Sequence, residues 1–178
     1  MVLVLILVLC IYIYLRNYGS QAPNSSLLAT PVPGQAPQWG HQIKTAGCEA
    51  NGLLQDAACT PGNIFPEANA EKICVAGYSS SVRDVSNMVK DEVYAEYGIV
   101  SHEPGEYEVD HLVSLELGGS NDISNLWPQS ASLKPGCHEK DQVEDYLHEQ
   151  VCAGNMTLQD AQAQIATNWL AVYRQMQK

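Results

Sequence analysis

The sequence predicts an α+β domain. Two short extended runs flank a Gly-Gly turn between residues 107 and 128, a helical pattern follows from about residue 138, and further helical patterns lie on either side. At 178 residues the chain suits one ordinary domain rather than two. With 46% hydrophobic and 16% charged residues, the balance is globular, not disordered.

Met1 to Leu15 is an unbroken apolar run closed by Arg16 and Asn17. As a helix it would span about 22 Å, short of a ~30 Å hydrocarbon core, so residues 1–16 read as a signal peptide or a membrane anchor. Residues 17–42 are rich in Pro, Gly, Ser, Gln and Asn and read as a flexible linker. Residues 43–178 form the expected folded domain, secreted, periplasmic, or anchored facing outside the cytoplasm. Export permits disulfides. Five cysteines follow Cys10: Cys48 with Cys59 would close a short local loop, and Cys74 has either Cys137 or Cys152 as partner. Because five is odd, one thiol stays free or pairs between chains. No CxxC pair argues for a structural zinc knuckle.

Within the domain, Thr60-Pro61-Gly62-Asn63 is a turn, and residues 72–78 read as a short β-like run. Ser86 caps a helix to about Tyr97, with Met88, Val89, Val93 and Tyr97 on its apolar face and Gly98 at its stop. Residues 107–117 alternate like a half-buried strand. Gly118 to Asp122 turns the chain, and Asn125-Leu126-Trp127 begins a second extended piece that Pro128 is expected to limit. A helix follows over about 138–153, with Val143, Leu147 and Val151 on one face. Thr157 caps a last helix that buries Leu158, Ala161, Ile165, Trp169 and Val172.

The charge is lopsided. Nine Lys and Arg face 20 Asp and Glu, a formal net charge of −11. A protein that coats nucleic acid by bulk charge is excluded, whereas one that grips a phosphate locally is not. Asp91, Glu92, Glu96, Glu103, Glu106, Glu108 and Asp110 form an acidic approach to the polar residues that follow, so any nucleic-acid binding is expected to be weak and of low specificity.

Those polar residues are Asp110-His111 in the first extended run, Asn125 at the return, and His138 at the start of the helix. Neighbours on a strand point to opposite faces, so a bend or bulge is needed for Asp110 and His111 to serve one site. The string from Asp110 to Gln129, with His138-Glu139-Lys140-Asp141 after it, resembles the HNH endonucleases, whose core is a ββα-metal unit. The likeness extends through Ile73 to Tyr78, Val82-Arg83 and the final helix to the bacterial and phage-type subgroup, and so covers about residues 72–173.

The resemblance implies metal-dependent hydrolysis of phosphodiesters in DNA, with RNA a second candidate. His111 matches the general base, a role suited to an imidazole. Asp110 and His138 match the ligands of one divalent ion, Mg²⁺ or Mn²⁺ first and Zn²⁺ or Ni²⁺ after them. Asn125 matches the middle Asn, which orients the loop carrying the base. Arg83 is the expected phosphate contact. Lys140 is a second, although an i,i+4 partnership with Glu144 accounts for it equally well. Were His138 to face away, Asp141 or Asn125 would have to replace it. His41, His102 and His148 read as ordinary surface histidines, and Glu116 and Asp122 as solvated turn charges. The competing reading is a non-catalytic secreted or membrane-tethered interaction module that keeps the same fold.

Overall fold

The computed structural model describes residues 37–50 and 53–178, which fall within one compact unit. The expected signal or anchor at 1–16 and the linker up to residue 36 lie outside the described residues. The last linker residues are bound to the domain: Trp39 packs against the core, Gly40 N donates to Gly62 O at 2.8 Å, and Gln42 Nε2 donates to Cys59 O at 2.8 Å. The folded unit therefore starts upstream of residue 43, because the Trp39 ring finds apolar cover there.

The fold is α+β. Two very short helices, α1 (Ala70–Ile73) and α2 (Tyr78–Val82), precede α3 (Asn87–Glu96). Strands β1 (Tyr107–His111) and β2 (Leu126–Ser130) pair antiparallel, and α4 (Cys137–Cys152) and α5 (Leu158–Met176) complete the chain. Between the strands, 3₁₀ turns span Leu115–Leu117 and Ile123–Asn125. Among the described residues no helix is long and apolar enough to cross a membrane.

The β-like run expected at 72–78 is instead the end of α1 and a turn. Asn69 caps α1 by accepting from Lys72 N, and Gly77 adopts φ 84°, a left-handed conformation that an extended run excludes. α3 follows the expectation, with the Ser86 side chain accepting from Val89 N and Gly98 in the left-handed region. Its apolar face is narrower than expected: Val93 is buried, but Met88 is 69% exposed.

β1 stops at His111 rather than running to Leu117. The Asn125 side chain is the cause: its Oδ1 accepts from Val113 N at 2.9 Å and its Nδ2 donates to Val113 O at 3.0 Å. A side-chain amide thus takes both backbone groups that a longer β2 would have paired. β2 runs through Pro128, which stands opposite Val109. In a two-stranded sheet each strand has a free edge, where a missing N–H costs nothing.

The core gathers Leu112, Leu117, Trp127, Val143, Leu147, Ile165 and Trp169, so α4 and α5 pack on each other and on the inter-strand loop. Full burial of each such large side chain contributes about 1.5–3 kcal/mol. At Asn168 the backbone of α5 leaves the helical region, and the Asn168 Oδ1 accepts from Ala171 N to restart the next turn. Two disulfides brace the fold, Cys48–Cys59 and Cys74–Cys152. Cys74 thus takes Cys152, and Cys137 is a buried free thiol. Disulfides are compatible with an extracellular location.

Candidate active site

The loop between the strands is shaped by its glycines and by Asn125. Gly118 has φ 73°, and a Cβ there would meet the Ala68 Cβ at 2.4 Å. A Cβ on Gly119 would stand 1.8 Å from Val113 O. Asn125 is fully buried; besides Val113 it donates to Ser120 O at 2.8 Å and accepts from Asn63 N at 3.3 Å. These bonds tie the loop after β1 to the start of β2, and no group is left over to bind an ion.

His111, at the end of β1, is only 4% exposed. Its Nε2 lies 3.1 Å from Asn121 Oδ1, and Asn121 Nδ2 donates to Val82 O at 2.7 Å. Burial pushes its pKa down to about 4, assisted by the positive charges of Arg83 and Lys140 and opposed by the Asn121 hydrogen bond. The ring is therefore neutral near pH 7. Asn121 sits inside the turn string, but nothing in the sequence ties it to Val82, so its role was invisible before folding.

His111 and His138 line one cleft of about 500 Å³, together with Arg83, Lys90, Tyr107 and Glu108. Arg83 and Lys90 make no ion pair among the described residues. Two free cations thus stand beside a neutral imidazole, in a protein that is otherwise strongly acidic. His138 is well exposed, and its Nδ1 is 3.8 Å from Asp141 Oδ2 on the next turn of α4.

Asp110 does not join this cleft. The pairing of β1 is regular through His111, with no bulge, so Asp110 turns to the opposite face. There its Oδ2 lies 2.7 Å from the Lys140 ammonium, a buried ion pair. Lys140, 1% exposed, also donates to His111 O at 2.7 Å and pairs with Glu144. Burial works against the ammonium, but Asp110 and Glu144 together outweigh it and hold its pKa above the usual value. Burial also pushes the Asp110 and Glu144 carboxyls up, with Lys140 pulling both back.

Two expectations change as a result. Lys140 is no phosphate contact, because its ammonium is sealed between two carboxylates and a carbonyl. Asp110 and His138 are not assembled as a metal pair, because the cation at Asp110 is already the Lys140 ammonium. Among the described residues, the three-membered clusters of ligand-type atoms are Cys74–His148–Cys152 and Cys48–Asp56–Cys59, each built on a disulfide whose sulfurs are committed.

No protein-family model, curated protein or solved structure matches this chain.

Proposed function

We propose that the protein is an endonuclease that hydrolyses phosphodiester bonds in DNA, RNA being the second substrate, with His111 as its general base. The observation that carries this reading is the cleft itself: a buried neutral imidazole faces a space walled by Arg83, Lys90 and His138. In this reading Arg83 and Lys90 hold the phosphate, which suits a polyanion that the rest of the surface repels. The imidazole accepts a proton from the attacking water, which adds to phosphorus as the leaving oxygen departs. Lys140 and Asn125 act at a distance by fixing the end of β1 and the loop after it.

A divalent ion held by Asp110 and His138 does not fit the arrangement, since it would have to displace Lys140 from Asp110. The imidazole and carboxylate that do stand together are His138 and Asp141, and in this reading they are the donors for one divalent ion, Mg²⁺ or Mn²⁺ before Zn²⁺ or Ni²⁺. Held there, such an ion would supply Lewis-acid charge for the phosphate.

The test is plasmid nicking by the purified chain, without added metal and with Mg²⁺, Mn²⁺, Zn²⁺ or Ni²⁺ in turn. Nicking that His111→Ala abolishes, with its circular dichroism unchanged, is expected. Intact plasmid under every condition would favour the non-catalytic module.

A further inference from the structure

Asn121 is tied at both ends of its amide. Its Nδ2 donates to Val82 O at 2.7 Å, so its Oδ1 is the atom that faces His111 Nε2 at 3.1 Å. Rotating the amide by half a turn would set two oxygens against each other at Val82 and forfeit that bond. The acceptor opposite Nε2 is therefore fixed, and a neutral imidazole can satisfy it only by carrying its proton on Nε2. The other ring nitrogen, Nδ1, has no hydrogen-bond partner among the described residues and is not sealed from solvent.

We infer that Asn121 is a positioning residue that locks His111 in its Nε2–H tautomer and leaves Nδ1 as the atom that takes the proton. The inference rests on the reading of His111 as a general base. It extends that reading from a residue to an atom, and it assigns a role to a residue outside the Asp-His, Asn and His positions. The mechanical origin of the lock lies outside the hairpin. Val82 is the last residue of α2, so the tautomer of the base is set by a carbonyl in a separate stretch of chain. That stretch has few buried side chains of its own, and the Cys74–Cys152 disulfide ties its upstream end to α4. Two outcomes follow from the chemistry. Removal of the acceptor leaves the proton free to settle on either nitrogen, so part of the population presents N–H where a lone pair is needed. A carboxylate at position 121 still accepts from Nε2–H but cannot donate to Val82, so it preserves the tautomer while loosening the tie.

Long-range ¹H–¹⁵N spectra of the full chain at pH 7 read the tautomer directly, independently of any activity. The wild-type spectrum is expected to show His111 neutral and protonated on Nε2. Asn121→Asp is expected to keep the Nε2–H signature. Asn121→Ala is expected to show averaged nitrogen shifts and a kcat roughly twofold lower, with KM nearly unchanged, the fall matching the fraction of rings that carry the proton on Nδ1. A wild-type ring protonated on Nδ1 would overturn the inference. So would an Asn121→Ala protein that keeps both the wild-type shifts and the wild-type kcat. If Asn121→Ala does not fold, the wild-type and Asn121→Asp spectra still decide. If no nucleic acid is cleaved while the spectra behave as expected, the nuclease reading fails and the positional one stands.

Discussion

Replacing Lys140 with Met tests the buried network most directly. In the native chain one ammonium serves Asp110, Glu144 and the His111 carbonyl, and the Lys140 side chain is 1% exposed. Met fills much of the volume but leaves two carboxylates facing each other without a counter-charge. Removing one partner from a buried ionic group costs about 3–5 kcal/mol. For a domain of this size that is a fall in Tm of roughly 10–20 °C. The pH dependence provides the diagnostic. Both carboxyls already have raised pKa values, so their charged forms weigh against the fold, and their stability is greatest at low pH and is lost as pH rises through the folded pKa. Without Lys140 these pKa values rise further. The deficit of Lys140→Met should be large at pH 7.5 and shrink as pH falls and the two carboxyls take up protons. Urea unfolding at several pH values measures it, and Asp110→Asn with Glu144→Gln in the same chain should restore much of the loss. A deficit independent of pH, or one that the added neutral residues fail to relieve, would refute the argument.

Three further outcomes are expected. The folded pKa of His111 is about 4 against an ordinary 6.5, so the folded state resists a proton that the unfolded chain takes up. Its contribution is complete above pH 6.5 and is lost as pH falls through 4, and the stability difference between wild type and His111→Gln should change by about 3 kcal/mol over that window in urea titrations. Replacing Cys74 and Cys152 with Ser should cost roughly 4 kcal/mol, more than the same change at Cys48 and Cys59, because the sequence separations are 78 and 11. Hydrogen exchange should quicken from Val75 to Val85, and its absence there would contradict the bracing role. Asn125→Ala strands backbone groups of Val113 and Ser120 in the interior and should cost about 2–4 kcal/mol by thermal melting.

Much of the arrangement was legible because its cues are local. Ser86, Thr157 and Gly98 mark helix ends by their own side chains or lack of one, and the structure uses each of them so. The Asp-His, Asn and His positions were visible as residue types in order along the chain, and His111 and His138 do share a cleft. The direction of Asp110 was legible only as an alternative, since strand alternation set it apart from His111 unless the backbone bent. Its partner was not legible, because Glu144 is one helical turn from Lys140 whereas Asp110 is brought there by the tertiary fold alone. The tie between Asn121 and Val82 spans 39 residues and an intervening helix, so no periodicity could signal it. Residues 72–78 misled because Ile73 and Val75 mimic strand spacing, while the cap that decides for a helix, Asn69, lies just outside the run.

The placement of charge has a kinetic consequence. A polyanion drifting toward this molecule meets a net charge of −11 that turns it away, with relief where Arg83 and Lys90 line the cleft. Dilute electrolyte leaves that field at full reach, while added ions shorten it to a few ångströms and disturb the close contacts less. In the proposed nuclease reading, productive encounters should therefore become more frequent as ionic strength first rises, the reverse of what a basic nucleic-acid binder does.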